Sequence, residues 1–439
     1  MAEQLINEPT QVSTHEADLS FGRYDALVAQ SQKGTSHIFG VNGIIDFDPQ
    51  DPDIYVAGVR NILAGSDPTP VRVDIDFTNR CNNDCPPCFA RDLRTKYPDE
   101  MPLSVGVKLL ADLKKIGVDC VRFTGGGDPL KHQDFPTLVS QAGKSMRTVI
   151  ETNGDYLSNP GYIAAIAANA HRIRISVDAG NNRARATTHR PDDPSHTYDQ
   201  LVSNMRTLRN TTHRFDGRPS RLHIGASFIY GQNNYESVRQ FLYDMGDVVD
   251  WVQIKPALIE GRHPDNSKID QYVRDEIEKQ RSLPSGRVLH LPDRVSFSPA
   301  EELERCWTTQ LRAFVLANSS VSVCNLVRNG QVPMAIMGSL AEGNQTIQDV
   351  LFSDEGRKRL SALQNLAPAG CVYCIDKVTN NMLQHIGDTV ESYPRASFQR
   401  ARISQGNSTE VGELTDHVVE VTLAASDYHQ FASGSVVQF

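Results

Sequence analysis

Cys81, Cys85 and Cys88 stand as C-x3-C-x2-C in Val-Asp-Ile-Asp-Phe-Thr-Asn-Arg-Cys-Asn-Asn-Asp-Cys-Pro-Pro-Cys-Phe, directly after a strand-like run that opens at Val71. Three thiolates on one tight loop can hold three corners of a four-iron cluster and leave the fourth iron open to a small-molecule ligand. A zinc knuckle is the bland alternative, but zinc wants a fourth ligand close by. Four more cysteines fall in a second group, Cys306 and Cys324 followed by Cys371 and Cys374 as C-x2-C, and Cys120 stands alone.

The elements that must position the loop follow from hydrophobic pattern. From Val71 onward, β-branched runs at 71–77, 119–124, 147–152, 172–178, 222–229 and 251–256 alternate with amphipathic segments, which predicts βα units on a parallel sheet. Helices are expected after Ser104, at 135–145, 160–169 and 198–210, and between Asn234 and Gly246. Six consecutive units predict an α/β fold built as a partial, open (β/α)6 barrel, whose ligand site lies at the C-terminal ends of the strands. The cysteine loop sits at such an end. Residues 1–70 read as an N-terminal extension with a helix near Ile54–Leu63, 71–258 as the barrel, and 259–299 as a linker with a helix. A small α+β domain is expected over 300–385, with a strand-like run at 314–324 and a helix near 354–365, followed by a polar tail over 386–439.

Bulk properties narrow the partners. A chain of 439 residues with 39% hydrophobic and 22% charged residues is expected to be globular. Its net charge of −9 argues against a phosphate-binding surface, so nucleic acid is not expected as a partner. The first residues lack a basic and apolar export signal, and no run approaches the ~18 apolar residues of a membrane span, so no membrane is expected and the cytoplasm is the expected compartment. A reducing compartment favours metal sites or buried thiols over disulfides for the eight cysteines.

The cysteine loop and several strand ends together resemble the radical S-adenosylmethionine (SAM) superfamily. In that family the open iron chelates SAM, and an electron from the cluster cleaves it to a 5′-deoxyadenosyl radical that abstracts hydrogen from substrate. Gly125-Gly126-Gly127-Asp128-Pro129 is similar to the family's Gly-Gly-Glu-Pro motif, with Asp in place of Glu. The resemblance implies SAM contacts from Gly126, Gly127 and Asp128, from Thr152 and Asn153 in Glu151-Thr-Asn-Gly, from Ser176 and Asp178 in Ser-Val-Asp, and from Arg190. The family commonly has an aromatic residue before the third cysteine, whereas this chain has Pro87, with Phe89 just beyond.

The second cysteine group is similar in spacing to the twitch domain, the shortened relative of the SPASM domain, which implies one auxiliary four-iron cluster on Cys306, Cys324, Cys371 and Cys374. Four protein ligands leave no open iron, so such a cluster would conduct electrons or support structure. A structural zinc site is the alternative. A lone thiol such as Cys120 returns a hydrogen atom to substrate in some epimerases of this superfamily, and a buried core cysteine is the commoner case.

The same spacing is similar to that of aminocyclitol and aminoglycoside enzymes such as 2-deoxy-scyllo-inosamine dehydrogenase and, by pathway type, paromamine diol dehydratase. This implies an oxidoreductase or lyase of antibiotic biosynthesis acting on a small polar polyol, with a flavodoxin- or ferredoxin-type electron donor. Either outcome needs a base near the reacting carbon, and Lys255, Glu151, Arg174, His223 and Glu260 are the candidates near strand ends. The competing enzymatic reading is maturation of a ribosomally made peptide, by crosslinking or epimerisation. The absence of a clear three-strand pattern before Val71 weighs modestly against a leader-peptide recognition domain.

Overall fold

The computed structural model describes residues 24–30, 36–39, 52–86, 88, 90–212, 222–257, 267–279, 287–290, 305–325, 335–341, 345–370, 397–403, 418–421 and 436–438, with a few more between 380 and 391. Its contacts divide into two compact units. One comprises Thr69–Pro299 and Arg312–Leu366, and the other Met1–Pro68, Ala300–Leu311 and Ala367–Phe439.

The first unit is built on a ten-stranded sheet. The six expected strands are present as β1 (Arg72–Asp76), β2 (Cys120–Thr124), β3 (Arg147–Thr152), β4 (Arg172–Ser176), β5 (His223–Tyr230) and β6 (Trp251–Pro256). Each runs parallel to the next, as a partial (β/α) barrel requires. Beyond β6 the parallel run continues into β7 (Arg287–His290). On the other side β8 (Arg312–Val315) pairs in parallel with β1, and β9 (Ser320–Ser322) and β10 (Ile336–Ser339) follow antiparallel. The run expected as one strand at 314–324 inside the small domain thus overlaps two strands, β8 and β9, of the barrel sheet. All four residues of β8 are buried, and pairing them with β1 satisfies backbone groups that an open edge would leave unmade.

Period-two patterning gives the sheet two different faces. Val73, Ile75, Val121, Phe123, Ile150, Ile173, Ile224, Phe228 and Ile254 are fully buried on the helix-covered face. There Phe123 meets Phe135 edge-on at 6.3 Å and Phe228 lies 4.9 Å from Phe241. The opposite face carries charge. Asp74 bonds Arg122, Arg122 bonds Glu151 at 3.1 Å, Arg174 bonds Glu151 at 2.7 Å and donates to Gln253 at 3.1 Å. This ladder crosses β1 to β4 and closes on β6. Below it, the Arg172 guanidinium stacks on Trp251 at 4.5 Å, and Gly225 is required because a Cβ there would stand 2.0 Å from the indole.

Two expected caps do other work. Helix Leu103–Lys115 starts from Pro102, not Ser104. The Asn234 side chain donates to the carbonyls of Asp178 and Ile229, both at 2.8 Å, and so ties the loops after β4 and β5 together.

The second unit contains helix Pro52–Leu63 and a five-stranded sheet. In it Tyr24–Gln30 pairs with both Ser36–Phe39 and Ser397–Ile403, and Val418–Val421 and Val436–Gln438 lie at the edges. Segments expected as an extension and a tail thus share one sheet. Such pairing is invisible to local pattern because it joins opposite ends of the sequence. No helix among the described residues is long and apolar enough to cross a membrane.

Candidate metal and cofactor site

The cysteine loop leaves the C-terminal end of β1 and is fastened on two sides. On one side, the N–H of Gly127 donates to Thr78 O at 3.1 Å and that of Asp128 to Arg80 O at 2.9 Å. Glycine is needed for this approach: a Cβ on Gly127 would stand 2.0 Å from Arg80 O, and one on Gly126 2.3 Å from Asn79 Oδ1. On the other side, Asp84 N–H donates to Arg190 O at 3.2 Å and Asp192 N–H to Asn82 O at 2.9 Å.

Beneath the loop runs a buried polar network. Asn153 donates from Nδ2 to Asn82 Oδ1 at 2.9 Å and lies 3.9 Å from Cys81 Sγ. Asn82 in turn donates to Asp155 Oδ2 at 2.7 Å. Asp155 is ion-paired with Arg185, both side chains being 1% exposed, and Arg185 also reaches the Asn153 carbonyl at 3.3 Å. Asn82, Asp155 and Arg185 were not singled out from sequence. Asp155 follows the Thr-Asn-Gly turn directly, but nothing local pairs it with an arginine on the later helix Asn182–Thr188.

Cys81, Cys85 and Cys88 are free, half-buried thiols. Burial, reinforced by the Asp128 carboxylate, pushes Cys81 up to about 11. Burial, reinforced by the charges of Cys88 and Cys81, raises Cys85 too. These thiols resist becoming thiolates together unless a cationic centre compensates them, which a bound iron–sulfur cluster does. Among the described residues no three His, Cys, Asp or Glu groups converge as ligands of a single metal ion. Three cysteine sulfurs on one half-buried loop are the donor type that a four-iron cluster takes from a protein, so the donor set fits that group.

Asp128 is fully buried in effect and turned inward. Its carboxylate accepts from Thr152 Oγ1 at 2.9 Å, Asn153 N–H at 2.7 Å and Leu130 N–H at 2.9 Å. Burial outweighs these donors and pushes Asp128 up to about 6. A carboxyl raised in the fold contributes stability below its unfolded pKa and loses it as pH rises through the folded value. The stability of the wild type relative to Asp128→Asn should therefore fall by roughly 3 kcal/mol between pH 4 and pH 8, read from urea midpoints.

The other expected cofactor residues divide. Thr152 Oγ1 is engaged by Asp128 and accepts from Gly154 N–H at 3.0 Å. Ser176 ends β4, half-buried on the charged face and in register with Ser227. Asp178 takes a left-handed conformation at φ 48°, accepts from Ile229 N–H at 2.7 Å and faces His189 Nε2 at 3.3 Å. Arg190, also at φ 48°, has an exposed side chain beside the loop. Such a backbone is uncommon outside glycine, and strained conformations of this kind gather at ligand sites.

Among the candidate bases, Glu151 is clamped between Arg122 and Arg174. Lys255 is half-buried near the end of β6 on the face that carries Gln253. His223 opens β5 and is exposed, at the strand end opposite the cysteine loop, so it cannot serve a reaction at the mouth. Glu260, Cys371, Cys374, Pro87 and Phe89 lie outside the described residues. Cys120 is buried at the first residue of β2, again the end away from the loop. Cys306 is half-buried with Asn380 Nδ2 at 3.7 Å, and Cys324 is half-buried after β9.

Residues 75–217 match the sequence model of the Radical SAM superfamily. This segment is a radical SAM domain. Domains of that family carry a four-iron cluster and SAM. Fe-coproporphyrin III synthase of Methanosarcina barkeri is 37% identical over 80 residues, 18% of this chain and 20% of that protein. The SAM-dependent nucleotide dehydratase of Selenomonas ruminantium is 31% identical over 113 residues, 25% of this chain and 40% of its own. The chain thus spans less than half the length of these relatives. A crystal structure of Streptococcus suis SuiB bound to the precursor peptide SuiA aligns over 76% of this chain and 77% of that one, with a TM-score of 0.52 at 15% identity, and shares the fold.

Proposed function

We propose that this chain is a radical SAM oxidoreductase or lyase in which Cys81, Cys85 and Cys88 hold the catalytic cluster, acting on a small polar polyol such as a sugar, aminocyclitol or aminoglycoside. The observation that carries the reading is the half-buried three-thiol loop, pinned by the Gly126–Gly127 turn and by Asn153 at the ends of β1, β2 and β3. When bound, the cluster and SAM supply reductive sulfonium cleavage and hydrogen abstraction.

The chain's own residues then bind and orient. The backbone of Gly126 and Gly127, with Ser176 and the Arg190 guanidinium, would line the SAM site, while Asn153 is held by Asn82, Asp128 and Asp155 and would shape it from behind. Asp128, Thr152 and Asp178 hold those contacts in place, because their polar atoms are committed to protein partners. The charged ladder forms a polar floor suited to hydroxyl or amino groups above it. Lys255 is the base favoured here for its place near the end of β6, at the same end of the sheet as the cysteine loop. On the resemblance of their spacing alone, Cys306, Cys324, Cys371 and Cys374 are proposed as ligands of an auxiliary cluster, which would supply an electron acceptor when the product is a ketone, with a flavodoxin or ferredoxin as reductant of the system.

Anaerobic reconstitution should give about eight irons per chain, and 5′-deoxyadenosine should appear with SAM and a strong reductant. Product mass from a panel of pseudodisaccharides then decides the outcome: loss of two hydrogens means dehydrogenation, and loss of water means dehydration. Modification of a peptide panel with no turnover of polyols would replace this substrate class with the peptide-maturase reading. Absence of 5′-deoxyadenosine from folded, iron-loaded protein would remove the enzyme reading itself.

A further inference from the structure

The loop after β4 and the helix Asn182–Thr188 bring an imidazole between a carboxylate and one of the three thiols. His189, 3% exposed, follows that helix. Its Nδ1 lies 3.8 Å from Cys85 Sγ and its Nε2 3.3 Å from Asp178 Oδ2. Asp178 is itself immobilised, by Ile229 N–H on its other oxygen and by Asn234 on its carbonyl. The order carboxylate, imidazole, sulfur is that of a residue orienting a metal ligand from outside the coordination sphere.

Cys85 as a thiol also lies 3.6 Å from the His189 carbonyl, to which an S–H can donate. As a cluster ligand it is a thiolate, which only accepts, and the donor facing it is then Nδ1–H. The carboxylate of Asp178 faces the other side of the ring, 3.3 Å from Nε2. Asn83 also approaches Nδ1. Its amide lies 3.2 Å from Nδ1, and its Oδ1 is buried without a hydrogen-bond partner. Exchanging O and N in that amide leaves the atomic positions unchanged and lets Nδ1 carry its proton, which the Asn83 oxygen and the Cys85 sulfur then share.

Building on the reading of Cys85 as a cluster ligand, we infer that His189, oriented by Asp178, is a positioning residue that hydrogen-bonds the Cys85 sulfur and raises the reduction potential of the catalytic cluster. A donor to a ligating sulfur withdraws electron density and so favours the reduced, more negative cluster. The effect bears on how readily a physiological donor can deliver the electron.

The test is an EPR-monitored redox titration of the reconstituted full chain, with iron content measured on each sample. His189→Phe should shift the midpoint to more negative potential. His189→Gln, which can still donate, should lie near the wild type, and Asp178→Asn should shift the same way as His189→Phe but less. A midpoint unchanged in His189→Phe overturns the inference, as does His189→Gln displaced as far as His189→Phe. If His189→Phe does not retain iron, the Asp178→Asn midpoint decides, and loss of iron from both assigns the pair a structural role and overturns it. A wild type that forms no cluster would instead defeat the underlying functional reading.

Discussion

Replacing Cys81, Cys85 or Cys88 by alanine is expected to reduce 5′-deoxyadenosine formation to the enzyme-free level, with about half the reconstituted iron lost. The neighbouring groups are poor substitutes for a thiolate, because the carboxylates of Asp128 and Asp178 and the amides beside the loop are already engaged with protein atoms. Asn153 and Asn82 bond each other, Asp155 takes Arg185, and Arg94 donates to the Asn83 carbonyl at 2.8 Å. The measurement is SAM turnover by chromatography beside iron analysis. Full activity in any one of the three variants would show that the cluster is held elsewhere. Cys120→Ala serves as the contrasting variant, since that thiol sits at the far end of β2 and is expected to leave SAM cleavage intact.

Arg185→Leu is expected to cost about 3–5 kcal/mol of stability, because it strands the Asp155 carboxylate without its cation in a site from which water is excluded. Both side chains are 1% exposed, and Asp155 also carries Asn82, next to Cys81. The loss should therefore appear twice, as a lower urea midpoint and as poorer iron retention. Replacing both partners, Arg185→Leu with Asp155→Leu, should recover part of the stability but not the iron retention, since Asn82 then loses its acceptor. A single variant with an unchanged midpoint would show that the pair is not the keystone of the loop.

Much of the barrel was legible because its physics is local. β-branched runs punctuated by amphipathic helices mark parallel strands, and the six ranges read from sequence agree with β1 to β6 to within a residue or two at most ends. The strands β7 and β8 were less visible. Arg287–His290 is short and lies in the segment read as a linker, and Arg312–Val315 only overlaps the run read as one strand at 314–324. Its partner β1 lies far earlier in the sequence, and only the folded sheet joins them. The same reason hid the pairing of Tyr24–Gln30 with Ser397–Ile403.

The residue types around the loop were also readable, but their tasks were not. Asp128 and Asp178 resemble cofactor contacts in the sequence, yet folding aims both carboxylates at protein donors. Glu151 looks like a free base at a strand end until Arg122 and Arg174 are seen on either side of it. His189 carried no signal, since its importance arises only from lying between Cys85 and Asp178.

What the sequence determined by itself is the chemistry on offer: three thiols spaced on one loop after a strand, a glycine turn after the next, and a period of βα units that sets both at the same end of a sheet. Those features depend on neighbours a few residues apart, and pattern alone reports them. Tertiary structure decided which side chains remain available to a ligand and which are spent on holding the loop. That division depends on burial and on partners brought together from separate strands, and the cost of an unpaired buried charge enforces it.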